Sequence, residues 1–344
     1  MRKKNWLVLV IVVFSTMLSS FVFYFYQVIY TPNFQQEKED IDILIPRGAT
    51  FKDVQNMFYD RGIVNDLVAF SLLAKLMNYD ESVRPGVYTI KKDMPNILVV
   101  RRLRSGDQTP VNITFNNVRL IEELPEKITD NTGINPEDFR KLLEDDTLVA
   151  SLGFTKESII SMFIPNTYEV YWTMSAEALL KKMKAEHTRF WSDSRKQKAE
   201  SLGLTPLEVS TLASIVQAET QQYDEAATVA GLYLNRLKRN IALQADPTLV
   251  FAAQDFTIKR VLNVHKEIDS PYNTYMYSGL PPGPINMPQP NYIDAVLNYE
   301  EHRYLYMCAK EDFSGYHNFA TNLRDHLRNA EKYQAALNRA GLYR

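Results

Sequence analysis

From Trp6 to Tyr30 the chain runs WLVLVIVVFSTMLSSFVFYFYQVIY without a single charged residue. A helix needs about 20 apolar residues to cross the hydrocarbon core of a bilayer, and this run is long enough. Tyr24, Tyr26 and Tyr30 gather at its far end, where amphipathic rings anchor at the interface. Arg2, Lys3 and Lys4 precede it, so the expected arrangement is a cytoplasmic tail (1–5), a transmembrane helix (6–30) and an extracytoplasmic remainder. A cleaved signal peptide is the competing reading. The apolar stretch is longer than the usual 7–15-residue signal core, and no A-x-A-like site follows it, which favours the uncleaved anchor.

The rest of the chain has the composition of a globular protein. The whole is 344 residues, 45% hydrophobic and 23% charged, enough for two or three domains. Of 39 basic residues three precede the anchor, leaving 36 against 41 acids, a net charge of −5 beyond it. No long Lys/Arg block stands out, so nucleic acid is not an expected partner. The single cysteine, Cys308, allows no internal disulfide; in the run YLYMCA it reads as a small buried hydrophobe rather than a nucleophile.

Residues 31–40, TPNFQQEKED, read as a polar linker. In the next segment Ile41, Ile43 and Ile45 alternate as a strand, PRG turns the chain, and Phe51, Val54 and Phe58 follow at helical spacing. Seventy residues later Val111, Ile113 and Phe115 alternate, and Ile121, Leu124 and Ile128 take the helical places. Two related strand–helix units would explain this, and so would chance. Between them, RPGVYTIKKDMPNILVVRRLRSGD reads as strand, turn and helix, closing at Ser105-Gly106. Residues 41–110 thus form a small α+β module without paired His, Cys pairs or a phosphate-type glycine loop, suited to binding or positioning.

Residues 135–200 read mainly as helix, interrupted by the aromatic stretch SMFIPNTYEVYWTM, which reads as a core strand with a turn. Aromatic rings with amides also suit sugars, whose C–H faces stack on rings while amides bond hydroxyls. Thr205-Pro206-Leu207-Glu208 then fits a capping box with Pro at the first helical position. At 100° per residue, Leu212, Ile215 and Glu219 fall about 40°, 340° and 20° from Glu208, with Val216 at about 80°. Glu219 therefore projects from an apolar stripe, although a helix end could also leave it in water. A carboxyl among Leu, Ile and Val loses solvation of its charged form, its pKa rises, and it becomes a usable general acid near neutral pH.

Downstream, Asn235–Phe251, Asp269–Pro290 and Gly315–His326 are rich in turn and hydrogen-bonding residues. The second carries six prolines and two glycines in twenty-two residues, with Tyr272, Asn273, Tyr275 and Tyr277. Such a stiff loop could line a groove for a many-hydroxyl ligand or be a structural Ω-like loop. His317 and His326 lie nine apart beside Asp325, but no HExxH-type spacing appears, so no metal is expected. A Ser–His–Asp hydrolase would lack any G-x-S-x-G elbow.

SIVQAET, VAGLYLNRLKRNIALQADPT, SPYNTYMYSGLPPGPI and GYHNFATNLRDH together resemble the catalytic region of the endolytic murein transglycosylases, the MltG or YceG-like family. The upstream FIPNTYEVYW is similar to that family's aromatic segment, and residues 41–110 to its LysM-like subdomain. The resemblance implies an α+β fold class: the transmembrane helix, the small LysM-like α+β module, then a mixed α/β catalytic domain over 111–344 with its active-site part at about 160–330. It implies that Glu219 is the single catalytic acid/base. Asn235, Arg236, Gln244, Asp246, Thr248, Ser270, Tyr272, Asn273, Thr274 and Tyr275, with His317, Phe319 and His326, match the family's other marked positions and are expected at the substrate cleft. Gln217 and Ala218 stand where the family more often has Glu and Lys, and Asn322 and Asp325 where it usually has Thr and Glu, which leaves the contacts of the last segment open.

The implied reaction cleaves the MurNAc–GlcNAc bond within nascent strands, leaves 1,6-anhydro-MurNAc ends, and uses no cofactor. The implied partners are peptidoglycan glycan strands and the cell-wall synthesis machinery, at the plasma (inner) membrane. Two other readings stay open at this point. One is a muramidase that hydrolyses the same bond with Asp224, Glu225 or Asp246 as second carboxylate; the other is a non-catalytic anchored peptidoglycan-binding protein.

Overall fold

The computed structural model describes residues 2–34, 40–116, 118–258 and 260–341. Most of the expected linker, residues 35–39, lies outside the described residues. The chain divides into two compact units, one of residues 1–113 with 131–134 and 169–174, the other of 114–130, 135–168 and 175–344.

Helix α1 spans Arg2–Tyr30, and Lys4–Tyr30 is long and apolar enough to cross a membrane. Its apolar length is not covered by protein; burial begins only at its last turn, where Val28 is 3% exposed. Asn33 and Phe34, expected in a polar linker, are buried instead: Phe34 packs edge-on against Phe58 and Phe70 and starts the first core.

Strand β1 (Ile41–Ile45) leads through α2 (Phe51–Asp60) and α3 (Leu67–Leu76) to β2 (Gly86–Ile90). β1 and β2 pair antiparallel, with Ile43 opposite Tyr88, and Ile43, Ile45, Tyr88 and Ile90 all face inward. Both helices start where short oxygen-bearing side chains satisfy the free N–H groups. Thr50 and Asp53 form a reciprocal capping box on α2, and Asp66 caps α3. Phe51, Val54 and Phe58 are the buried face of α2, as their spacing requires. Helix α4 (Asn96–Ser105) ends at Gly106, whose φ of 73° is the left-handed C-cap.

Beyond it, β3 (Val111–Phe115) pairs with β4 (Asn166–Val170), with α5 (Leu124–Thr129), α6 (Pro136–Glu144) and α7 (Asp146–Ser151) between them in sequence. Strand–helices–strand thus occurs twice in the chain. The helical run after β4 is two helices, α8 (Ala176–Phe190) and α9 (Asp193–Ser201), because Ser192 caps a new start after buried Trp191. Then come α10 (Pro206–Glu219), α11 (Ala226–Lys238), α12 (Asp246–Ala253) and α13 (Pro290–Leu297), a two-stranded antiparallel sheet of β5 (Tyr306–Ala309) and β6 (His317–Ala320), and α14 (Leu323–Arg339). The core of the second unit gathers around α10, α11 and α13 through Leu212, Ile215, Val229, Leu232, Ile293 and Val296.

Candidate active site

Helix α10 begins as its sequence requires. Thr205 Oγ1 accepts from Glu208 N at 3.2 Å, while Thr205 N donates to Glu208 Oε2 at 2.7 Å, with Pro206 at the first helical position. The expected apolar stripe is only part of the picture. Every residue from Val209 to Val216 is buried, so the helix is enclosed around its whole girth. The side opposite the stripe is closed by small residues that admit a loop. Ser214 Oγ accepts from Ile285 N at 3.0 Å, Ser214 O from Asn286 Nδ2 at 2.9 Å, and Gln217 Oε1 from Gln289 N at 2.7 Å. Glu219 is therefore selected less by its stripe than by standing at the last position of the helix, where the enclosure opens.

There it lines a cleft of about 1010 Å³ together with Gln217, Ala218, Asp246, Phe251, Phe256 and Asn286. A smaller recess of about 430 Å³ lies against the same two carboxylates, Glu219 and Asp246. Glu219 Oε1 accepts a hydrogen bond from the Tyr233 hydroxyl at 2.6 Å. Loss of water around the carboxyl pushes its pKa up to about 7; Tyr233's bond and the Arg236 charge pull the other way, and Asp246 adds to the rise. The C-terminal end of a helix also disfavours a negative charge. Tyr233, only 2% exposed, is held well above its ordinary pKa chiefly by burial, so it remains a donor. The arrangement presents a carboxylic acid, protonated near neutral pH, with one oxygen fixed and the other free for the cleft.

The other expected residues divide into those beside Glu219 and those that build the wall. Arg236 is buried, and its guanidinium is held by carbonyls: Nε to Leu305 O at 2.7 Å, Nη1 to Ala242 O at 3.0 Å and Leu243 O at 2.8 Å. Nη1 also reaches Gln244 Oε1 at 3.3 Å, and the group sits 5.3 Å over the Tyr306 ring. Arg236, Gln244, Asp246, Tyr275 and His317 all line the recess with Glu219. Asp246 opens α12 and accepts from the Tyr275 hydroxyl at 2.5 Å. Its position before Pro247 is thus a helix start that points a carboxylate at the cleft, not an isolated turn.

Asn235, Thr248, Ser270, Asn273 and Thr274 serve the scaffold. Asn235 Nδ2 donates to His302 O and Tyr304 O. Thr248 and Thr274, both buried, share a hydroxyl contact at 2.8 Å. Asn273 is wholly buried: its Nδ2 donates to Lys266 O and Ile268 O, and its Oδ1 accepts from Tyr275 N and Met276 N. Ser270 Oγ accepts from Tyr272 N, and the Tyr272 ring packs 4.6 Å from Phe251. The Asp269–Pro290 segment is thus a self-satisfied loop sunk into the protein, with Tyr275 and Asn286 among its few outlets to the cleft. At Gly283 a Cβ would lie 2.0 Å from Glu157 O, so glycine permits the passage.

His317 is bound twice by Glu225, through N at 2.9 Å and Nδ1 at 3.0 Å, while Phe319 stacks on Tyr304. His326 stacks on Tyr306, and burial and the Arg236 charge hold its pKa below the usual histidine value, so it is neutral at pH 7. Cys308 is half-buried in β5 and reaches the recess. Sequence reasoning missed Tyr233, the Glu225–His317 pair, and the apolar wall that Phe313 and Tyr333 add to the cleft. The available signal for Tyr233 was a polar-tipped ring in the otherwise apolar first turns of α11, one turn before Arg236.

The model of the YceG-like family matches residues 43–332. The chain belongs to the YceG-like family. Family membership covers both units and every residue described above around Glu219. Among curated relatives, an endolytic murein transglycosylase of Streptococcus pneumoniae is 25% identical over 95% of this chain, and one of Bacillus subtilis is 26% identical over 88% of each chain. The chain spans 65% of the length of the pneumococcal protein, just under two thirds. The crystal structure of a yceG-like protein from Listeria monocytogenes superposes with a TM-score of 0.56 at 24% identity, over 85% of this chain and 99% of that one. It shares the mixed α/β fold of this YceG-like chain.

Proposed function

We propose that this YceG-like protein is a membrane-anchored lytic transglycosylase that cleaves the MurNAc–GlcNAc bond inside nascent peptidoglycan strands. The observation that carries the reading is the Glu219 carboxyl, desolvated at the cleft wall, raised to about 7 and gripped by Tyr233 on one oxygen. The names of the relatives, endolytic murein transglycosylase, supply the substrate class.

In this mechanism the protonated carboxyl of Glu219 gives its proton to the glycosidic oxygen as the C1–O bond of N-acetylmuramic acid breaks with oxocarbenium character. The resulting carboxylate is stabilised by the Tyr233 hydroxyl, whose bond strengthens as charge develops. It then removes the proton of the C6 hydroxyl, whose oxygen closes on C1 to give the 1,6-anhydro ring and restores the acid. The nucleophile belongs to the substrate, so one carboxyl suffices and effective molarity replaces a bound water. Arg236, Gln244, Asp246 and Tyr275 are the proposed glycan-facing polar groups, supported by their place in the recess beside Glu219. The first unit is proposed as a LysM-like wall-binding module, which its strand–helix–helix–strand order supports. Helix α1 is proposed as a single-pass anchor with Arg2, Lys3 and Lys4 cytoplasmic and both units outside.

Asp246 keeps a hydrolytic reading alive, because it is a second carboxylate in the same cleft. Mass analysis of digested glycan separates the two. The proposal expects new ends lighter by one water than reducing ends, absent with Glu219→Gln; reducing ends alone would refute it.

A further inference from the structure

The first unit carries a cavity that the proposed chemistry does not use. It is a groove of about 730 Å³ whose wall holds Arg84, Lys91, Arg101, Arg102 and Arg104. Asp107 is the one acid on that wall, and it pairs with Arg102 at 3.3 Å. Arg102 is also tied to the scaffold, Nη1 donating to Thr89 O at 2.7 Å. Arg84, Lys91, Arg101 and Arg104 are exposed and, among the described residues, form no ion pair. Four uncompensated cations thus converge on one groove, in a chain whose part beyond α1 is otherwise net acidic. Helix α4 builds this face by its periodicity: Val99, Val100 and Leu103 point into the core, which leaves Leu98, Arg101 and Arg104 outside. Leu98, 44% exposed, and half-buried Met94 give the groove an apolar lip.

The position of α4 selects the ligand. Its first residue, Asn96, donates through Nδ2 to Val28 O at 3.0 Å, within the last turn of α1, and Pro95 bridges to Pro32 just beyond α1. At about 1.5 Å rise per residue, Arg101 and Arg104 lie roughly 8 and 12 Å along α4 from that joint, before their side chains extend. Such a span is comparable with the headgroup layer beyond the hydrocarbon core. We infer that the groove binds the phosphodiester headgroup of an anionic phospholipid in the leaflet where α1 ends. The planar guanidinium groups take the phosphate oxygens, and Met94 and Leu98 lie against the glycerol and upper acyl region. The inference rests on the reading of α1 as a membrane anchor. Its consequence is that the first unit is seated on the bilayer surface and not free on a tether.

The test uses the full chain in phosphatidylcholine bilayers doped with spin-labelled phosphatidylglycerol or spin-labelled phosphatidylcholine, with the motionally restricted lipid fraction read by electron paramagnetic resonance. Each basic side chain near an anionic surface contributes roughly fivefold in affinity. Preference for phosphatidylglycerol is therefore expected to be at least about tenfold, to weaken with salt, and to fall to the level set by Arg2, Lys3 and Lys4 in an Arg84→Gln/Arg101→Gln/Arg104→Gln variant. These side chains are exposed, and an unchanged far-ultraviolet circular dichroism spectrum verifies the fold. Equal selectivity in the variant and the parent overturns the inference. So does displacement of the labelled lipid by soluble poly(glycerol phosphate), which would assign the groove to an anionic wall polymer. Absence of a restricted component for either lipid would overturn the anchor itself, a failure visible separately from loss of selectivity.

Discussion

At the scale of single residues, the account turns on a carboxyl kept protonated where most glutamates are ionised. Its folded pKa of about 7 lies above the model value of 4.5. The folded state therefore binds the extra proton between those values, and stability falls as pH rises from about 4.5 to 7. Glu219→Gln removes the burden, so its stability advantage over the parent should be small at pH 4.5 and grow to at most about 3 kcal/mol by pH 8. Urea denaturation at the two pH values measures it, and a pH-independent difference would contradict the burial of the acid. Tyr233→Phe should move the same carboxyl further up, because its bond to Glu219 lowers the pKa. The alkaline limb of the activity profile should then shift to higher pH while kcat drops about tenfold, the order expected for one donor to a developing anion. A fall in kcat with an unmoved profile would assign Tyr233 to packing alone.

Elements explain why some of this site could be read from sequence and some not. The capping box at Thr205–Glu208 fixed the start of α10, and the apolar neighbours of Glu219 marked it as desolvated. The bond from Tyr233 could not be read, because it depends on α11 folding back against α10 across fourteen residues of chain. Polar richness in Asp269–Pro290 pointed to ligand contacts. Yet a loop without regular structure must satisfy its own backbone groups when buried, and Asn273 spends its amide doing so. Asn273→Ala should accordingly destabilise the second unit by roughly 2–4 kcal/mol, since several buried loop groups lose partners at once. Chemical denaturation reads this directly; a change in substrate KM at unchanged stability would instead mark Asn273 as a ligand contact. Gly283→Ala should be comparably costly, by at least about 2 kcal/mol, because backbone of Glu157 stands where the methyl would go.

Over the whole molecule, the anchor, the two-unit organisation and the position of the acid were legible. The clustering of cations was not. RRLR at 101–104 is too short to stand out, and Arg84 and Lys91 join it only after β2 and α4 pack together. The linker was likewise misjudged at its start, where one phenylalanine in a polar stretch is enough to nucleate an aromatic cluster with Phe58 and Phe70. Anchoring by α1, headgroup binding at α4 and an acid cleft in the second unit together describe an enzyme that meets glycan beside the membrane. The claim they serve is chemical: the new end is made by the sugar's own hydroxyl, not by water. Digesting peptidoglycan with the full chain in water enriched in oxygen-18 tests it most directly. The account predicts anhydro ends without isotope from the parent and no cleavage from Glu219→Gln, whereas one heavy oxygen at each new end would contradict it.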